Sequence, residues 1–205
     1  YTRFFSNLPA YQALLEMHQA ALDNLSPVLD SCAGSGILAA RLAQSEVKVV
    51  ALDANKEGLD LIVDPNIEKC LADAYRIPCP DESFAGVSSM LALQFMDRPI
   101  DYLVELTRVL KEEGRMVISG PSPAAKNYGS VLNSWVTSFG DQFSEIREAY
   151  EVVFGRISDN LVDSCPTWFE GPELAQTLEG LGLKINSVEE NPLYQGKGYV
   201  VVVSK

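Results

Sequence analysis

The residues best suited to chemistry lie in one stretch, VLDSCAGSGILAARL, which begins at Val28. It reads as strand, turn and helix. Its turn is Cys32-Ala33-Gly34-Ser35-Gly36, built from small residues. Glycine has no side chain, so a flat ligand can approach the backbone closely there. The helix opening near Ser35 would turn its free N–H groups toward such a ligand. Plain tight turns also use Gly-x-Gly, so this feature alone is weak. A second candidate is Asp53, which directly follows the segment VKVVAL, seventeen positions beyond Gly36. A carboxylate there can accept both ribose hydroxyl protons of an adenosine. The alternative is an N-cap for the following helix. Asp73-Ala74 is a third candidate, since a carboxylate there can accept from an exocyclic adenine amine. It also reads as a polar turn. His18 is the only histidine, and so the one imidazole available as a general base. It falls on the apolar face of a helix, where packing is the competing role.

The elements that must position these residues alternate between strand and helix. That pattern predicts an α/β fold with a mostly parallel sheet covered on both faces. Tyr11, Leu14, Leu15, His18, Leu22 and Leu25 recur at helical spacing, and Pro27 stops that helix. Short apolar runs predict strands over 28–30, 47–52, 67–71, 84–90 and 115–119, with helices over 37–44 and 55–63 between the first three. Ile100, Leu103, Leu106, Thr107 and Leu110 form the stripe of the helix before the fifth strand. Gly114 sits where a left-handed C-terminal cap is expected. Pro172 suits the first turn of a helix with the stripe Leu174, Leu178 and Leu181. Two closing strands, near 183–188 and 198–204, are separated by little more than a turn and should pair antiparallel.

The segment 121–169 interrupts this alternation. Tyr128, Val131, Leu132, Trp135, Val136 and Phe139 predict one helical face. Phe143, Ile146, Tyr150, Phe154 and Ile157 predict a second. Ligands of open parallel sheets bind beyond the carboxyl ends of the strands. An aromatic insertion starting there reads either as a lid or as added core. Tyr11, Tyr128, Trp135, Phe139 and Trp168 are the candidates for an apolar wall around a flat substrate.

Composition sets the outer limits. The chain has 205 residues, 47% hydrophobic and 21% charged, which suits a single globular domain over 1–205. Sixteen basic against 28 acidic residues give a net charge of −12, the wrong sign for a phosphate backbone, so no nucleic acid partner is expected. No apolar run is long enough to span a membrane, and the opening YTRFFSNLPAYQ lacks the pattern of a secretion signal. Cys32, Cys70, Cys79 and Cys165 show no C-x-x-C spacing, and one histidine is too few for a zinc set. The expectation is a cytoplasmic chain with free thiols and no metal, working as a monomer or homodimer on a small molecule.

In order, VLDSCAGSG, VVALDA, CLADAYRIPCPDESFAGV and LTRVLKEEGRMVIS resemble the successive motifs of the class I S-adenosylmethionine-dependent methyltransferases. The similarity is to the small-molecule kind, type 11, which includes the quinone-biosynthesis methyltransferases. ELAQTLEGLGLKINSVEE and YVVVVSK resemble the last helix and closing strands of that family. The resemblance spans nearly the whole chain. It implies a three-layer Rossmann-like domain with a seven-stranded sheet, mostly parallel with an antiparallel final strand. It also implies S-adenosylmethionine as cofactor and S-adenosylhomocysteine as product.

By the same resemblance, Asp30, Cys32, Gly34, Ser35 and Gly36 would cradle the methionine and ribose part. Asp53 would take the ribose hydroxyls, and Ala54 would lie against the adenine. Asp73 and Ala74 would face the adenine edge. Ser89 and Met90 would line the methyl-transfer site. Two positions depart from the family pattern: Cys32 stands where the first glycine of the turn is usual, and Ala85 follows Phe84 where an Asp is usual.

The implied reaction is direct displacement at a sulfonium, which needs alignment and exclusion of water more than a catalytic triad. Alignment can supply about 7–11 kcal/mol of the barrier. Two alternatives remain open on the sequence. Cys32 and Ala85 motivate a non-catalytic protein that binds the cofactor on the same fold. Gly34-x-Gly36-x-x-Ala39 with Asp53 also fits an NAD-dependent dehydrogenase. That reading gives no reason for Asp30 near the turn, for Asp73-Ala74, or for a closing pair of strands.

Overall fold

In the computed structural model, residues 2–44, 47–126, 135–140, 143–144, 147–148 and 165–205 are described. The chain opens with a short helix α1 (Thr2–Phe5) and a longer α2 (Pro9–Leu22). Then come β1 (Val28–Ser31), α3 (Ile37–Ala43), β2 (Val49–Asp53), α4 (Lys56–Asp60) and β3 (Ile67–Leu71). β4 (Phe84–Met90), α5 (Pro99–Val109) and β5 (Leu110–Pro121) follow. After the 121–169 segment the chain ends with α6 (Gly171–Gly180), β6 (Lys184–Glu190) and β7 (Gly198–Ser204).

The strands form one seven-stranded sheet in the order β3-β2-β1-β4-β5-β7-β6. All pairs from β3 to β5 are parallel, and β7 is antiparallel to both β5 and β6. This is the sheet expected from the sequence. β1 is buried at every position, as a central strand covered on both faces should be. Strand order reverses between β1 and β4, and ligands of open α/β sheets sit beyond the carboxyl ends at such a switch point.

Two apolar cores lie on the two faces. On one, α2, α3 and α4 pack through Leu14, Leu38 and Leu59 against Val28, Val49 and Val117. On the other, α5 and α6 pack through Leu103, Leu106, Leu174 and Leu178 against Leu29, Val87 and Val201. Fully burying one such side chain stabilises the fold by about 1.5–3 kcal/mol.

Two local expectations need correction. The buried stripe of α5 is Tyr102, Leu103, Leu106 and Val109, while Ile100 is exposed. A tyrosine at that register fills a polar recess described below. At the α5–β5 junction the left-handed residue is Glu113 (φ 62°), not Gly114. Gly114 lies inside β5, and a Cβ there would sit 2.7 Å from the Lys111 carbonyl oxygen. Close approach, rather than a helix cap, is what requires the glycine.

Within the 121–169 insertion, residues 135–139 are helical. Trp135 and Phe139 are buried against α1: the Phe4 and Phe139 rings are 5.3 Å apart and Phe5 and Trp135 5.6 Å apart. Tyr128, Val131, Leu132, Ile146, Tyr150, Phe154 and Ile157, expected in the two insertion helices, lie outside the described residues.

Candidate functional site

The turn after β1 borders a cavity of about 450 Å³ at the carboxyl edge of the sheet. Its walls include Asp30, Cys32, Ala33, Gly34 and Ser35 from the β1 turn. Met90 and Leu91 come from the end of β4, Asn55 and Gly58 from the start of α4, and Tyr11 from α2. The volume is within the ordinary range for small-ligand sites. The turn is tight. Cys32, Gly34 and Gly36 all have left-handed φ, at 59°, 56° and 73°. Glycine takes such values without strain; Cys32 does not have that freedom.

Asp53 fastens the turn from β2. Its Oδ2 accepts from the Gly34 N–H at 2.7 Å and its Oδ1 from the Asn55 N–H at 2.8 Å. Helix α4 presses on the turn from the side, and a Cβ on Gly58 would sit 2.9 Å from the Gly34 carbonyl oxygen. Asn55, not Asp53, caps α4, with its side chain accepting from the Gly58 N–H.

Asp30 is the electrostatically unusual member. It is buried, borders the cavity, and its Oδ2 has no hydrogen-bond partner among the described residues. Burial raises its pKa from 3.8 to about 7, opposed by a hydrogen bond from the Ala39 backbone and reinforced by the charge of Asp53. A bare carboxylate oxygen in a buried site is costly. A cationic or hydrogen-donating ligand group would satisfy it.

Ser88 is the register partner of Asp30 on β4. His18 reaches in from α2 above the same face. Its Nδ1 is 2.9 Å from Ser88 Oγ and its Nε2 is 2.8 Å from Ser119 Oγ. The ring is wholly buried, and burial lowers its pKa to about 3. His18 is therefore neutral, both nitrogens are engaged, and it is not among the residues bordering the cavity.

On the opposite face, Tyr102 of α5 places its hydroxyl 3.0 Å from both Ser31 Oγ and Ser89 Oγ, and 4.0 Å from Cys32 Sγ. This cluster ties the ends of β1 and β4 together beneath the turn. Burial raises the Tyr102 pKa well above its usual value and pushes the Cys32 thiol up to about 11, with the Asp53 charge adding to the latter. Cys32 is thus a protonated thiol that packs, not a nucleophile.

Of the residues expected around the cofactor, Asp30, Cys32, Gly34, Ser35 and Met90 border the cavity together. Asp53 holds the turn without bordering it. Gly36 is set by packing, since a Cβ would collide with Ile62. Ser89 is committed to Tyr102, and Ala74 is buried in the α5-side core. Asp73 accepts from the Tyr75 N–H in a turn, and Ala54 lies exposed just after β2. Among the aromatic candidates, Tyr11 borders the cavity. Trp135 and Phe139 are core, with Trp135 Nε1 donating to the Leu193 carbonyl. Trp168 is half-buried and donates to the Cys165 carbonyl.

Sequence reasoning missed Tyr102, Ser31, Ser88 and Ser119. The signal was the dipeptide Ser88-Ser89 inside an otherwise apolar strand, which puts one hydroxyl on each face of the sheet. No group of His, Cys, Asp or Glu able to hold a metal occurs among the described residues, and no described helix is long and apolar enough to cross a membrane.

Fold and site together define a Rossmann-like domain with a small-ligand-sized cavity against the β1 turn. A methyltransferase domain matches residues 29–118. A demethylmenaquinone methyltransferase from Clavibacter sepedonicus is 32% identical over 179 residues, covering 82% of this chain and 69% of that protein. One from Beutenbergia cavernae is 30% identical, covering 64% of this chain and 58% of that protein. This chain thus spans 58–69% of the length of these two relatives. In fold it matches 1,6-didemethyltoxoflavin-N1-methyltransferase from Burkholderia thailandensis, solved with bound 1,6-didemethyltoxoflavin and S-adenosylhomocysteine. The TM-score is 0.68 at 17% identity, covering 98% of this chain and 80% of that one. The chain belongs to the class I S-adenosylmethionine-dependent methyltransferases, and S-adenosylmethionine is its cofactor.

Proposed function

We propose that this protein moves the methyl group of S-adenosylmethionine onto a small, flat, quinone-like acceptor by direct displacement. The observation that carries the reading is the unpartnered Oδ2 of buried Asp30, bordering a ligand-sized cavity beside a left-handed turn. The methionine ammonium of the cofactor has the charge and the donors that this oxygen lacks. The cofactor, when bound, supplies an already activated methyl group on a sulfonium.

The chain's own residues orient and enclose. Asp30 anchors the cation. Gly34 and Ser35 let the ligand lie against the backbone. Asp53 keeps lone pairs for ribose hydroxyls beyond those used by Gly34 and Asn55. Met90, Leu91 and Tyr11 form an apolar wall that excludes water, and alignment of this kind accounts for a large part of methyl-transfer catalysis. Asp73 and Ala74 serve the adenine end. His18 has the geometry of a structural plug, so the reaction proposed here uses no histidine base. The 121–169 insertion belongs to the same domain in this reading, with Trp135 and Phe139 serving its core and Trp168 nearer the surface.

The quinone-like acceptor is favoured by the demethylmenaquinone methyltransferase relatives. The protein would act in the cytoplasm as a monomer or homodimer without nucleic acid. Calorimetric titration with S-adenosylmethionine and S-adenosylhomocysteine, with NAD as control, tests the reading. Micromolar binding of the sulfur nucleotides alone is expected. Binding of NAD instead would overturn it, and cofactor binding without turnover across a quinol panel would favour a non-catalytic binding protein.

A further inference from the structure

Beyond β4 the chain makes a single 3-10 turn, Leu93–Phe95, with Gln94 at its centre. Gln94 is buried, and its side-chain amide is half satisfied. Nε2 donates to the Leu91 carbonyl at 2.7 Å, while Oε1 has no partner among the described residues. The orientation is fixed by chemistry: a carbonyl only accepts, so nitrogen must face Leu91 and oxygen the other way.

Oε1 points to the end of β5. A Cβ on Gly120 would sit 3.4 Å from it and 2.6 Å from the hydroxyl of Tyr199 on β7. Tyr199 is buried too, and its hydroxyl does not pair with Oε1. Two polar atoms from different elements therefore converge over a position that must be glycine. They do so at the carboxyl edge of β4 and β5. Leu91, whose carbonyl anchors Gln94, borders the cofactor cavity. Buried polar atoms left unpaired are rare and costly.

We propose that Gln94 and Tyr199 recognise the methyl acceptor: Oε1 takes a hydrogen bond from an O–H of an aromatic alcohol, and the Tyr199 hydroxyl holds the same group. This rests on the methyltransferase reading above and adds a selection rule. An acceptor that offers a donor fills the vacancy on Oε1. An ether or oxidised quinone, carrying acceptors only, leaves Oε1 buried and unpaired. Burial raises the Tyr199 pKa, so the phenol keeps its proton to share.

The test is titration of 1,4-dihydroxynaphthalene and its 1,4-dimethoxy ether, under reducing conditions, into the protein with and without S-adenosylhomocysteine. Wild type, Gln94→Met and Tyr199→Phe are compared. Tyr199→Phe keeps the packed ring and leaves the Gln94 bond to Leu91 in place, so it should fold normally. The wild type is expected to prefer the diol over the ether roughly tenfold, as one lost hydrogen bond implies. Each variant should narrow that preference while S-adenosylhomocysteine affinity stays unchanged. Equal diol affinity in wild type and both variants would overturn the proposal, as would failure of the wild type to bind the diol. Failure of S-adenosylhomocysteine to bind would instead strike the underlying methyltransferase reading, and the titration without it would still read the pair.

Discussion

The two faces of the central strands carry the same kind of residue and use it differently. On the α2 side, Ser88 and Ser119 clasp His18, with Asp30 beside Ser88 in register. On the α5 side, Ser31 and Ser89 clasp Tyr102. The α5-side cluster contains hydroxyls and a thiol whose burial keeps them neutral through the physiological range. It can brace the strand ends under the cofactor turn without responding to pH. The α2 side holds two titratable groups displaced in opposite directions. His18 is driven neutral at about 3, and Asp30 is driven toward the protonated form at about 7. Of these two groups only Asp30 borders the cavity, so a ligand bound there would meet a titrating carboxyl on the α2 side.

The largest expected effect that would break this contrast is on stability. His18→Ala removes a packed ring and strands two buried hydroxyls, so it should cost about 3 kcal/mol or more in denaturant unfolding. Turnover per folded molecule should not change. A specific loss of turnover at unchanged stability would make His18 a base and dissolve the distinction drawn here.

Next in size is the ligand effect. Asp30→Asn removes the charge opposite a cationic group and should weaken S-adenosylmethionine binding by roughly ten- to a hundredfold, the range of about 1.5–3 kcal/mol for a hydrogen bond to a charged partner. Calorimetry reads this directly, and wild-type affinity would remove Asp30 from the site. Tyr102→Phe should be smaller, about 1–2 kcal/mol of stability from an unsatisfied serine pair. Its cofactor affinity should fall only severalfold, through a loosened turn. A loss as large as that of Asp30→Asn would show that the α5-side cluster is itself part of the binding surface.

The smallest and sharpest test is pH. The folded pKa of His18 lies below its unfolded 6.5, so its contribution erodes stability as pH falls from about 6.5 toward 3. The folded pKa of Asp30 lies above its unfolded 3.8, so its contribution is present below that value and is lost as pH rises toward about 7. Over roughly pH 4–6.5 the two slopes oppose each other. Chemical denaturation across that window should therefore show stability climbing with pH in Asp30→Asn and falling with pH in His18→Ala. Matching profiles would mean that neither group is displaced as described. A cationic ligand favours charged Asp30, so binding below pH 7 should release a proton, measurable in buffers of different ionisation heat.

Much of this was legible beforehand because it rests on local rules. The alternation of apolar runs set the parallel sheet, and the short turn before 198–204 set the antiparallel closure. The small residues of 32–36 marked the turn, and Asp30 sat one strand residue ahead of it. Other features escaped because they depend on register between distant segments. Nothing local says that His18, Ser88 and Ser119 meet, or that Tyr102 lies under Cys32. Trp135 read equally well as pocket wall and as core; the Phe4, Phe5 and Tyr194 rings packed around it decide for core.

The sequence by itself determined the order of elements, the position of the cofactor turn and the family, since each follows from spacing along the chain. Tertiary structure alone decided which polar atoms were left unpaired. Asp53 is spent in part on Gly34 and Asn55, whereas Asp30 Oδ2 and Gln94 Oε1 remain unmatched. The reason is physical: a hydrogen bond needs its partner within about 3 Å, and that separation is set by how strands and helices pack, not by the chain between them.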